Sequence, residues 1–113
     1  ISRLLQYDGE NVILGFLPIL DDINRMIDSE DASKDSLIDG IALVQSKISK
    51  FFDSLNIEPY GEKGDKMDTD IHDAMLTQSD NKQEDDTILD VFEKGYTYRD
   101  KVIRHAKVIV NKK

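Results

Sequence analysis

"LIDGIALVQSKISKFFDSL", residues 37–55, sets Leu37, Ile41, Val44, Ile48, Phe51 and Leu55 at alternating intervals of four and three. That alternation is the seam of a helix that packs lengthwise against other helices. Ile38 and Phe52 widen the apolar stripe, and Gln45, Ser46, Lys47, Ser49, Lys50 and Asp53 keep the intervening positions polar. Ser36 with Asp39 has the spacing of a capping box, and Asn56, Pro59 and Gly61 stop the helix.

Upstream, residues 1–28 carry Leu5, Val12, Phe16, Ile19, Ile23 and Met26 in one row, with Ile13, Leu17, Leu20 and Ile27 in a second beside it. This is helical spacing with an unusually wide apolar face. Gly9 and Gly15 weaken such a helix by roughly 1 kcal/mol each relative to Ala. Pro18 fits best in the first turn of a new helix, which predicts a break near residues 15–17. "DSEDASKDS", residues 28–36, is a polar linker. Two helices with faces this wide cannot cover one another, and the remaining sequence offers no third. A second copy of the chain is the economical source, giving a four-helix bundle by dimerisation. The chain opens at Ile1 inside a helical pattern, so it is read as a piece whose N-terminal part is missing.

Beyond Pro59 the period changes. "YGEKGDKMDTDIHDAM" is turn-rich, with Asp and Thr capping signals before a short "IHDAM" segment. "LTQS" reads as a short strand and "DNKQEDD" as an acidic loop. "TILDVFE", "YTY" and "KVIRHAKVIV" read as strands, with Gly95 and "RD" as bends. In the last run Val102, Arg104, Ala106, Val108 and Val110 share one face, and Ile103, His105, Lys107 and Ile109 the other. Helices first and strands second make an α+β chain: residues 1–58 as a dimerising helical bundle, residues 59–113 as a compact β lobe.

Charge narrows the function. Of the net −8, residues 93–113 contribute seven Lys/Arg against Glu93 and Asp100, a surplus of +5, which leaves −13 on residues 1–92. An acidic body repels nucleic acid and anionic membrane, and a +5 tail is a weak phosphate footprint beside it. No Cys is present, so there is no disulfide framework and no thiolate metal site, and a reducing compartment is permitted. The apolar run "VILGFLPIL" is far too short to span a bilayer, and no basic segment precedes it as in a signal peptide.

No catalytic constellation is found. His72 and His105, the only histidines, lie in different segments. "GEKGDK" lacks the GxxxxGK[ST] frame of a phosphate loop. Asp65, Asp68, Asp70 and Asp73 lack the central Gly and distal Glu of a calcium loop, so they read as caps and solvated turns. Neither a metal nor a cofactor is expected. Tyr96 and Tyr98 lack the basic sheet on which bases stack. Three classes remain open: a β lobe that docks an acidic protein, a purely structural lobe, and a small nucleic-acid binder.

Four stretches resemble, in order, the GrpE family of nucleotide exchange factors: "LPILDDINRMI" (17–27), "IDGIALVQSKISKFFDSLNIEPY" (38–60), "MDTDIHDAM" (67–75) and "EKGYTYRDKVIRHAKVIV" (93–110). The last is specific, with Gly95, Tyr96, Arg104, Ala106, Val108 and Val110 all in register. The resemblance implies a bacterial cytoplasmic or organelle-matrix homodimer with a four-helix bundle and projecting β wings. One wing binds the ATPase domain of a DnaK-type chaperone and opens its cleft for ADP release; the factor is not an enzyme. By position, Phe92, Lys101 and Val110 are implied to face the chaperone, with Met67 and Arg25 as further contacts. Gly40 matches a helix glycine at a close approach. The seam from Leu37 to Leu55 is implied to form the dimer interface. Residue by residue, β-lobe core is the competing reading for Phe92 and Val110, and solvated charge for Lys101 and Arg25. Lys101 stands where the family more often has Arg, and "RD" where an Asn-Gly-like bend is usual. His105 stands where Pro or Ala is common, which implies an N–H outside the strand ladder.

Overall fold

The computed structural model describes the backbone of residues 2–30 and 33–113 and the side chains of residues 9–30 and 33–113. Leu5 of the expected apolar face, and Asp31 and Ala32 of the expected linker, lie outside the described side chains. The chain divides into two compact units, Ile1–Ser54 and Leu55–Lys113.

The first unit is a helical hairpin of α1 (Ser2–Asp28) and α2 (Lys34–Ser54). The break expected near residues 15–17 does not occur, and Pro18 sits inside a continuous α1. Proline removes only one helical hydrogen bond, and here packing against α2 outweighs that loss. Phe16 meets Phe51 edge-on with ring centroids 5.1 Å apart, and Phe52 at 6.3 Å. A Cβ at Gly15 would overlap the Phe51 ring, so this glycine is the socket that lets the aromatic lie against the α1 backbone. Further along, a Cβ at Gly40 would fall 3.0 Å from the Met26 sulfur. Ile19 and Val44 are the buried side chains of the hairpin. Ser33, rather than Ser36, caps α2: its Oγ accepts the Ser36 N–H at 3.1 Å. Asn56, with φ of 60°, follows the helix end in the left-handed conformation that Asn tolerates.

The second unit holds six strands: β1 (Ile57–Tyr60), β2 (His72–Gln78), β3 (Ile88–Glu93), β4 (Gly95–Tyr98), β5 (Lys101–Arg104) and β6 (Ala106–Asn111). They form two three-stranded sheets, ordered β1-β4-β5 and β2-β6-β3. The first is antiparallel throughout, whereas β6 runs parallel to β2 and antiparallel to β3. Three expectations are corrected. β1 was not expected, because Pro59 reads as a helix stop; as an edge strand, β1 accommodates a residue without N–H. "IHDAM" does not form a capped segment of its own but enters β2, after Asp68 Oδ1 accepts the Asp70 N–H at 2.9 Å. The run 101–110 is not one strand, because His105 lies between β5 and β6 and the chain changes sheet there. β6, central in its sheet, is buried on both faces; Ile88, Ala106, Val108 and Val110 form the core, with Tyr60, Met67 and Val91 packed against it.

Candidate partner-binding surfaces

The helical hairpin leaves much of its apolar surface uncovered. Ile13, Leu17, Leu20 and Ile27 on α1 and Leu37, Ile38, Ile41 and Leu43 on α2 are all exposed, Ile41 at 60%. The expected seam therefore splits. Val44 is buried within the hairpin, Ile48 and Phe51 are half-buried, and Leu37 and Ile41 face outward. Leu55 lies just past the end of α2, half-buried in the other unit. An uncovered patch of this kind marks an interaction site.

Between the helices near the hairpin turn lies a hollow of about 280 Å³, lined by residues that include Arg25, Met26, Leu37 and Gly40. The Arg25 side chain is 74% exposed at its rim and donates to Asp22 at 2.8 Å. Lys47 also bonds Asp22, and these two cations hold its carboxyl below the usual carboxylate range. The hydrogen bond from Lys47 is the larger cause.

On the β lobe, Phe92 is 55% exposed on β3 and Lys101 is exposed at the first position of β5. Met67 is half-buried against the core. Val110 must be corrected: at 1% exposure it is a core residue of β6, enclosed because β6 is sandwiched between β2 and β3, and its side chain is no contact surface.

The positive surplus of residues 93–113 is also more consumed than the sequence implies. Lys94 pairs with Glu62 at 3.1 Å, Lys107 with Glu93 at 3.7 Å, and Lys112 with Asp86. Arg104 donates through Nε and Nη2 to the Lys94 carbonyl at 3.2 and 2.9 Å, its guanidinium over the Tyr96 ring. Arg99 lies over Tyr98. Lys101 makes no ion pair among the described residues and stands beside the β4–β5 turn. That turn is a two-residue bend at Arg99 and Asp100, both with positive φ, joining the paired Tyr98 and Lys101. Positive φ at both central positions is the primed geometry that matches strand twist and that an Asn-Gly bend also takes, so "RD" keeps that geometry.

Neither histidine sits in a catalytic arrangement. His72, 5% exposed, accepts the Asp68 N–H at Nδ1 over 3.0 Å, and His105 Nδ1 lies 3.0 Å from Asp73. Among the described residues no group of three His, Asp or Glu is placed to hold a metal ion, and no helix is long and apolar enough to cross a membrane.

One anchoring residue escaped the sequence reading. Asn111 is fully buried, accepts the Asp80 N–H at 2.8 Å, and donates to the carbonyls of Asp80, Gln83 and Glu84 at 2.9–3.0 Å. It folds the acidic loop onto the end of β6. A polar residue closing an apolar strand was the available signal.

The chain is thus α+β, with an open apolar helix face and an exposed phenylalanine and lysine on its strands. A family model for GrpE matches residues 1–112, and the chain belongs to the GrpE family. It is 33% identical to Protein GrpE of Chloroherpeton thalassium over 99% of the chain and 58% of that protein. With Protein GrpE of Bifidobacterium adolescentis it shares 37% identity over 96% of the chain and 47% of the relative. The figures for Protein GrpE of Borrelia hermsii are 32%, 96% and 62%. The chain thus spans about half to three-fifths of the length of these relatives.

Proposed function

We infer that this chain is the part of a nucleotide exchange factor that grips a DnaK-type chaperone, opens the nucleotide cleft of its ATPase domain and speeds ADP release. The helical hairpin of α1 and α2, which ends at Ser54 rather than at the expected residue 58, pairs with a second copy through the uncovered faces around Leu37 and Ile41, making a four-helix bundle. Phe92 and Lys101 on the lobe, with Met67 and Arg25 in support, contact the chaperone. The observation that carries the reading is the pairing of charges on the lobe: Lys94, Lys107 and Lys112 are paired within it, while Lys101 on β5 makes no ion pair among the described residues and Phe92 on β3 is exposed. Work on the partner follows from differential binding, since a ligand that holds the open cleft more tightly than the closed one shifts the population towards open. A reducing bacterial cytoplasm suits a chain without cysteine, and its acidic balance disfavours nucleic acid and anionic membranes.

Stopped-flow release of a fluorescent ADP analogue from a DnaK-type chaperone tests this directly. Acceleration by the protein is expected. A dimer without effect on release would favour the competing reading, a structural self-association module. Lys101→Glu is expected to slow association with the chaperone roughly three- to tenfold at low salt, because steering charges act on the encounter rate, and to leave dimerisation unchanged. Unaltered stimulation by this variant would remove Lys101 from the mechanism.

A further inference from the structure

Besides the longer connection from β1 to β2 through residues 61–71, the chain crosses between the two sheets of the β lobe at two single residues. One is Lys94, between β3 and β4; the other is His105, between β5 and β6. Three side-chain features meet at these crossings. Gly95 lacks a side chain where a Cβ would overlap the Tyr60 ring, so the glycine is a socket for that ring. From there the Tyr60 hydroxyl lies 2.6 Å from the Ile71 carbonyl, at the entry to β2, and 3.2 Å from the Arg104 carbonyl, at the end of β5. Arg104 in turn reaches back with its guanidinium fork to the carbonyl of Lys94. One sheet supplies the tyrosine, the other supplies Ile71, and the arginine ties one crossing to the other.

We propose that Tyr60, seated on Gly95 and bolted to Ile71 and Arg104, is a rigid joint that fixes the orientation of the β1-β4-β5 sheet against the β2-β6-β3 sheet. Tyr60 and Arg104 are positioning residues. Phe92 lies on β3, two residues before the first crossing, and Lys101 lies on β5, three residues before Arg104. The two exposed contact residues are thus carried by different sheets with the joint between them. Resting on the reading that both meet the chaperone, the joint makes them one preorganised surface, and loosening it raises the ordering cost of binding.

Amide hydrogen exchange on Tyr60→Phe and Arg104→Lys tests the joint itself. Phenylalanine keeps the ring in its socket and loses the hydroxyl; lysine keeps a donor and loses the fork. Exchange in β4 and β5 is expected to quicken about tenfold in Tyr60→Phe and less in Arg104→Lys, with β6 amides unchanged. Uniform acceleration across both sheets would make Tyr60 an ordinary stability contact and overturn the joint, as would no change in either variant. If one variant does not fold, the other supplies the same comparison. The functional consequence is read as dissociation from the chaperone ATPase domain, measured far below the melting temperature, where a mere stability loss leaves the folded fraction untouched. Tyr60→Phe is expected to dissociate roughly fivefold faster with an unaltered salt dependence of association. Localised loosening with unchanged dissociation would overturn the coupling of Phe92 to Lys101. Failure of the unsubstituted protein to speed ADP release from the chaperone would defeat the exchange-factor reading alone, since the joint is judged by amide exchange.

Discussion

A single carboxamide, that of Asn111, organises seven residues of acidic loop, and its chemistry explains why no other side chain would serve. The oxygen must accept from one backbone N–H while the nitrogen donates to three carbonyls. Asn111→Ala leaves these buried groups without partners and is expected to cost the lobe about 2–3 kcal/mol in a urea titration. Asn111→Asp faces the three carbonyls with a carboxylate and should be worse. Arg99 and Asp100 offer the opposite case. Both hold positive φ, which is unfavourable for residues with a Cβ, so replacing the pair by Asn-Gly is expected to stabilise the lobe by about 1–2 kcal/mol in the same titration. Residues of these kinds are barely legible in sequence. A polar side chain after an apolar run looks like a strand ending in solvent, and only the fold shows that a loop returns to cover it. Val110 misleads the other way, because a family position says nothing about which strand is central.

At the scale of elements, the heptad from Leu37 to Phe51 was readable because five apolar side chains in register leave no other period to choose. Pro18 was misread because local rules weigh one missing hydrogen bond and cannot weigh the Phe51 ring across the hairpin. Gly15 is therefore not the weak point that helix propensity implies. Gly15→Ala gains about 1 kcal/mol of propensity yet must push Phe51 aside, at a cost of about 1–3 kcal/mol. A lower midpoint for thermal loss of helix is expected, and a higher one would show that the ring moves freely. The loop from Asp80 to Asp86 holds two carboxyls that link the stability of the lobe to acid. The Lys82 N–H, then Gln83, lowers the pKa of Asp80, and Lys112 lowers that of Asp86, both from an ordinary 3.8. The unfolded chain then binds protons first as pH falls, so this stabilisation is present above about pH 4 and disappears as pH drops through the lower folded values. Urea midpoints measured from pH 7 to pH 2 should show that loss, and Asp86→Asn should flatten it. An unchanged slope in the variant would assign the acid response elsewhere.

For the whole molecule, the division into helices followed by strands was legible from the change of period near Pro59, and the family from four stretches in order. The split into two sheets was not, since the apolar alternation runs straight through His105 and nothing local marks the crossing. The same open helix face that prompts the proposal of a dimer also supplies its test. Ile41→Asp places a charge on an apolar position that is 60% exposed in its own chain and lies in the helical unit, so the β lobe should keep its fold and amide protection. Sedimentation should then show the species shifted from dimer towards monomer, whereas a dimer as tight as before would place the interface elsewhere.

In the β2-β6-β3 sheet the middle strand is the one made after both of its neighbours. On a ribosome, β2 and β3 therefore emerge with no partner to bridge them, and every pairing in that sheet waits for residues 106–111. Such distant pairings form slowly. A nascent chain stalled or clipped a few residues early would present two orphaned strands and a loop without its asparagine, a ready target for proteases, so the lobe comes into being only when translation has run through its final strand.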